Sequence, residues 1–193
     1  MRKLFLIATM AITGLCASQS HAQEMNRGFM PYAGIYGGYN STSDDAVDPD
    51  GGDFGGFAGF KLDSLFSMPI SAAFEIQYGL STSEGDATNS TLEKTSEFGI
   101  SFRPGLTYMP DNSPFYLNPY AILGYKIANY EETLRSGLSV EDSLHGFELG
   151  IGAEFLAYDN WVLRGEYSHT FYGKEGNFDP SEDTFRLGLA YKF

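Results

Sequence analysis

Apolar and polar positions alternate with period two through most of this chain. In residues 96–108 the even positions are Phe98, Ile100, Phe102, Pro104, Leu106 and Tyr108, and the odd positions are Glu97, Gly99, Ser101, Arg103, Gly105 and Thr107. Residues 144–155 set Phe147, Leu149, Ile151, Ala153 and Phe155 against Gly146, Glu148, Gly150, Gly152 and Glu154. Residues 71–81 and 184–193 repeat the pattern, with Phe74, Ile76, Tyr78 and Leu80 in the first and Phe185, Leu187, Leu189, Tyr191 and Phe193 in the second. Successive side chains of a strand point to opposite faces, so each stretch has one apolar face and one small or charged face. The pattern predicts strands at about 31–41, 54–62, 71–81, 96–108, 117–128, 144–155, 161–170 and 184–193, with no helical period between them.

A soluble β-sandwich also alternates, so the content of the two faces must decide. No Asp, Glu, Lys or Arg falls on the apolar face of any predicted strand. Water imposes no such exclusion, whereas Arg or Lys at a bilayer midplane costs about 2–4 kcal/mol. The other face is rich in glycine, and its charges nearly balance. Lys61, Arg103, Lys126, Arg164, Arg186 and Lys192 stand against Glu75, Glu97, Glu148, Glu154 and Glu166. The predicted strands match the roughly 9–11 residues that a tilted strand needs to cross a membrane. Backbone groups cannot stay unpaired in lipid, so the sheet must close. The predicted fold is all-β: an eight-stranded antiparallel up-and-down transmembrane β-barrel.

Connections alternate as well. Those at 42–53, 82–95, 129–143 and 171–183 are long and acidic, which suits extracellular loops. Those at 63–70, 109–116 and 156–160 are shorter and carry turn residues such as Pro110, Pro114 and Asp159-Asn160. Tyr108, Phe155, Trp161 and Tyr191 are expected in one interfacial girdle, and Tyr39, Phe54, Tyr78, Tyr125 and Tyr167 in the other. Side chains can fill the interior of a barrel this small. The eleven inward charges are therefore expected to pair across the lumen, with Arg103, Arg164 and Arg186 each reaching a glutamate. Which residue meets which cannot be read from the sequence.

The first residues stand apart. Arg2 and Lys3 precede the mostly apolar run Leu4 to Ala17, and Ser20-His21-Ala22 places small residues where a signal peptidase reads. Residues 1–22 are read as a cleaved secretory signal and 23–193 as the barrel domain, with Gln23 as the mature start. Cys16 raises the alternative of a lipoprotein, but Leu15 before it is too large for that cut. Cleavage at Ala22 removes the only cysteine, so the mature domain has no disulfide. The formal charge of -13 becomes -15 when the two positive charges of Arg2 and Lys3 leave. Such a chain repels nucleic-acid phosphates, and it repels anionic headgroups unless divalent cations bridge them.

Four local patterns then resemble a known family, the small outer-membrane barrels related to the OmpA transmembrane domain, OmpX and the opacity-type surface antigens. They are Tyr32-Ala33-Gly34-Ile35-Tyr36-Gly37-Gly38-Tyr39, Pro119-Tyr120-Ala121-Ile122-Leu123-Gly124-Tyr125, Trp161-Val162-Leu163-Arg164-Gly165-Glu166-Tyr167 and Arg186-Leu187-Gly188-Leu189-Ala190-Tyr191-Lys192-Phe193. The resemblance implies an outer-membrane location. It also implies that the terminal strand, with Tyr191 and Phe193, is the signal read by the barrel-assembly machinery. Nothing follows Phe193, so a peptidoglycan-gripping domain is not implied.

Candidate chemistry is sparse. His145 and His169 remain after processing, and His169-Thr170-Phe171 lacks the His-x-Ser arrangement of a lipid A deacylase. Asp44, Asp45, Asp48, Asp50 and Asp53 offer oxygen ligands for Ca²⁺, but Gly52 stands at the fifth position from Asp48 and no Glu at the twelfth. A solvated acidic loop is the expectation there. No catalytic residue, metal site or cofactor is assigned. The expected function is structural or surface-interacting, through acidic loops that contact lipopolysaccharide or a surface ligand. A narrow channel and a lipid-modifying enzyme are the alternatives.

Overall fold

The computed structural model describes residues 29–43, 49–63, 68–86, 90–108, 116–134, 139–158, 160–173 and 180–193. The signal segment 1–22, Cys16, Gln23 and the acidic residues Asp44, Asp45 and Asp48 lie outside the described residues. Eight strands follow in order: β1 (Phe29–Ser43), β2 (Asp50–Leu62), β3 (Ile70–Asp86), β4 (Ser90–Leu106), β5 (Leu117–Leu134), β6 (Ser139–Tyr158), β7 (Trp161–Tyr172) and β8 (Ser181–Lys192). Each is antiparallel to its neighbours, and β8 pairs with β1 to close the barrel. The closing register runs from Tyr32 opposite Lys192 to Ser43 opposite Ser181. Past it, the Phe193 N–H donates to the Pro31 carbonyl at 2.9 Å. The strand ends at Phe29 and Lys192 share one rim, called here the terminal rim.

Burial is inverted relative to a water-soluble domain. Ile35, Phe147 and Ile151 are each about two-thirds exposed, while Lys94, Glu97 and Lys126 are completely buried. The parity seen in the sequence decides this distribution. On β4 the even residues Phe98 and Ile100 point outward, and the odd residues Glu97, Ser101 and Arg103 point in. The inward glycines make room. A β-carbon on Gly79 would meet the Tyr36 hydroxyl, and one on Gly152 would meet the Tyr120 ring.

Strand length differs from expectation. The stretches 82–95 and 129–143, read above as loops, are largely strand, and 171–183 is strand only at its ends. Only 87–89, 135–138 and 173–180 separate the paired segments there. Above a membrane the outward face meets water instead of lipid, so the ladder continues without the apolar alternation that marks it in lipid. The expected contrast of long loops and short turns is thus a contrast in how far the strands continue. β5 and β6 pair as far as Thr133 opposite Ser139, whereas β7 ends at Tyr172 opposite Gly146. The wall built from β3 to β6 therefore stands taller than the rest. Asp53 needs a second correction. The sequence pattern assigns it to the solvated first loop, but it lies inside β2 and is buried in the lumen.

Candidate functional site

The lumen is packed with ion pairs in three tiers. At the terminal rim, Lys61 of β2 donates to the Tyr116 hydroxyl (2.5 Å), Asn118 Oδ1 (2.8 Å) and Glu154 (2.9 Å). Lys192 of β8 lies 3.5 Å from the same Glu154 and donates to Tyr116 at 3.1 Å. Tyr116 thus serves two ammonium groups and passes its own proton toward Glu154.

The middle tier is a box of two arginines and two glutamates. Arg103 (β4) lies 2.7 Å from Glu75 (β3) and also pairs with Glu166 (β7). Arg164 (β7) makes the matching contacts, 2.7 Å to Glu75 and a pair with Glu166. Tyr32 donates to Glu75 at 2.9 Å and Tyr120 to Glu166 at 2.6 Å. The Arg164 guanidinium sits 4.2 Å from the Phe57 ring centroid. Planar guanidinium groups suit this shared, multiply hydrogen-bonded recognition of carboxylates.

Farther from the terminal rim, Arg186 (β8) lies 2.7 Å from Asp53 and pairs with Glu97. Lys94 reaches Glu97 at 2.9 Å and Glu182 at 2.6 Å. Lys126 bridges Glu182 (3.2 Å) and Glu148 (3.3 Å), and Ser168 donates to Glu148 at 2.8 Å. Tyr36 donates to Glu97 at 3.2 Å.

All eleven residues assigned to the lumen from the sequence thus line it, with Lys192 half-buried. Arg103, Arg164 and Arg186 each meet a glutamate. Sequence reasoning missed Asp53, Lys94 and Glu182, which fell in segments read as loops. It also passed over Tyr32, Tyr36 and Tyr120, although their parity with the neighbouring glycines carried the signal. With these included, seven cations (Lys61, Lys94, Arg103, Lys126, Arg164, Arg186, Lys192) face seven carboxylates (Asp53, Glu75, Glu97, Glu148, Glu154, Glu166, Glu182), and Asp63 at the terminal rim, 3.8 Å from Lys61, adds an eighth. A buried charge is tolerable only when paired, and this pairing meets that requirement.

Among the described residues the excess of negative charge therefore lies outside the lumen. On the outer surface, a single register line links carboxylates on five strands: Asp50 opposite Glu84, Glu84 opposite Glu93, Glu93 opposite Glu131, and Glu131 opposite Glu141. In the other direction Asp50 faces Ser41, and Ser41 faces Asp183. Directly opposed like charges destabilise a sheet, so this row works against the fold. Below it lies a hydroxyl and amide belt, in which Asn129 donates to Ser96 at 3.0 Å and Ser143 donates to Asn129 at 2.7 Å. The apolar wall begins below that belt. Among the described residues no three His, Cys, Asp or Glu groups converge as a metal cage.

His145 and His169 sit on the outer surface. His169 Nδ1 lies 2.9 Å from Asp183, which also accepts from Tyr167 at 2.6 Å. The His169 ring packs edge-on to Phe171, and His145 lies beside Tyr125. Among the described residues no hydroxyl nucleophile is bonded to either ring.

A closed antiparallel barrel with an apolar exterior and an ion-paired interior is a transmembrane barrel. The comparisons with known proteins give the same class. Residues 7–193 match the family described as outer membrane protein beta-barrel domain, and the chain belongs to that family. The 31 kDa outer-membrane immunogenic protein of Brucella melitensis biotype 1 is 39% identical over 57 residues. That match covers 25% of this chain and spans only 24% of the Brucella protein. Among solved structures, Neisserial surface protein A superposes with a TM-score of 0.60 at 14% identity, covering 84% of this chain and 97% of that one. Ail, the attachment invasion locus protein of Yersinia pestis, in complex with the heparin analogue sucrose octasulfate, gives 0.54 at 16%, covering 84% and 99%. These structures share the fold.

Proposed function

We propose that this protein is a non-catalytic surface-interaction barrel of the outer membrane, in which an ion-locked stem carries an acidic crown. The observation that supports this most directly is the row Asp50, Glu84, Glu93, Glu131 and Glu141. The lumen charges nearly cancel, with no positive excess, so the crown's field is not offset from within. Five opposed carboxylates cost stability, and a cationic partner at the surface offsets that cost. The Yersinia barrel is solved with a polyanion. The sign of the present crown favours the reverse, a polycationic ligand, or lipopolysaccharide phosphates joined to it through divalent cations. In this reading both chain ends face the periplasm, residues 1–22 are removed on export, and the strand ending in Tyr191 and Phe193 is read during assembly.

Binding of fluorescent polylysine and of heparin to the protein in vesicles tests the crown. Polylysine is expected to bind, more weakly as ionic strength rises. Replacing Glu84, Glu93, Glu131 and Glu141 together by Gln should weaken it at least tenfold. A preference for heparin, or an unaffected variant, would overturn the reading. Planar-bilayer recording tests the stem. The three ion-paired tiers support a closed lumen, and a sustained large conductance would replace this reading with a channel.

A further inference from the structure

The outward face of β1 to β5 carries a groove of about 680 Å³. Drug-sized ligands occupy clefts of about 300–1,000 Å³. Two cross-strand rows form its sides. One is Phe60, Phe74 and Phe102, each opposite the next in register, with ring centroids 5.4 and 4.9 Å apart. The other is Ala58, Ile76, Ile100 and Tyr125, again consecutive in register. Ala58 is the low point between the bulkier side chains. The groove starts at the terminal rim, where Phe29 stacks on Phe60 at 5.3 Å. It climbs around the wall to Tyr125, well inside β5.

We propose that this groove binds one acyl chain of a phospholipid from the leaflet at the terminal rim. The assignment rests on the outer-membrane placement and on the orientation proposed above, which makes that leaflet the periplasmic one. The lining determines the chemistry, because its side chains are almost wholly apolar. A peptide laid there would bring N–H and C=O groups with no partners. A second copy of the barrel is convex and would rest on the phenylalanine ridge, leaving the groove below it empty. The groove also curves with the barrel, so a rigid ring system cannot follow it, whereas a flexible chain can. Crossing from β1 to β5 spans four strand spacings, about 19 Å, the reach of a long extended acyl chain. Entry at the terminal rim places the headgroup there, which selects phospholipid of that leaflet over lipopolysaccharide of the other.

The test folds the protein into vesicles of phosphatidylethanolamine and phosphatidylglycerol, extracts it gently into detergent, and counts retained lipid by native mass spectrometry. The wild type should keep one phospholipid. Ala58→Phe fills the low point and should cut the retained fraction at least tenfold, with Ala58→Leu intermediate. Ala153→Phe, outward on β6 and outside the groove, should leave it unchanged. Heat-modifiable gel mobility shows whether each variant folds. A wild type that retains no phospholipid, equal retention by Ala58→Phe, preferential retention of added lipopolysaccharide, or a disulfide-linked dimer of Ala58→Cys would each overturn the proposal. Polylysine binding to the protein in zwitterionic phosphatidylcholine vesicles reads the crown separately, so failure here leaves that result standing.

Discussion

Replacing Arg164 by Leu perturbs the middle tier at its most connected point. The guanidinium serves Glu75 and Glu166, donates to the Tyr120 hydroxyl at 3.2 Å, and covers the Phe57 ring. It is 4% exposed, so bulk water screens it little. Its loss leaves Arg103 as the only cation between two buried carboxylates. Breaking a buried pair from one side costs about 3–5 kcal/mol, and the lost cation–π contact adds up to about 2 kcal/mol when desolvated. Water entering the vacated volume offsets part of this. The expected loss is about 3–5 kcal/mol, or roughly two to four powers of ten in the folding equilibrium. Reversible urea unfolding in lipid vesicles measures it as a shift in midpoint at constant slope. A second substitution isolates the cause. Arg164→Leu with Glu166→Gln leaves Arg103 and Glu75, 2.7 Å apart, as a balanced pair, so at least half of the lost stability should return. A loss below about 1 kcal/mol in the single variant, or no recovery in the double, would refute stranding of a buried charge as the reason.

Other expectations follow from the same geometry. Gly34→Ala should lower the urea midpoint, because its β-carbon would lie 2.5 Å from the Leu189 carbonyl and against the Phe57 ring, whereas Gly37→Ala, with nothing closer than 3.9 Å, should be nearly neutral. Deleting Phe193 should reduce outer-membrane abundance and heat-modifiable folded protein far more than Leu187→Val on the same strand, and unchanged folded levels would remove the terminal signal. Intact mass of protein purified from outer membranes should correspond to a chain starting at Gln23, and a mass retaining residues 1–22 or a lipidated Cys16 would contradict that.

The sequence alone determined which side of the wall most residues occupy. Side-chain direction on a strand has period two, and lipid forbids charge on one face, so local order sorts Phe98 from Glu97 and Leu187 from Arg186 without knowledge of any neighbour. The signal fails where the solvent changes. Around Lys94 and Glu182 both faces of the ribbon are polar, hydropathy no longer alternates, and buried charges looked like loop residues. Asp53 was misplaced for the same reason. Phe57 shows a different limit. Its odd position turns it inward, away from the lipid that Phe54 and Phe60 face, but a ring fits there only because Gly34 stands directly opposite it and leaves space. That vacancy belongs to another strand. Partner choice is non-local in the same way: Arg103 and Glu166 are 63 positions apart and Arg186 and Asp53 are 133 apart. Only the closed register of eight strands brings them across the lumen, since alternation assigns a face but carries no information about height or angle around the barrel.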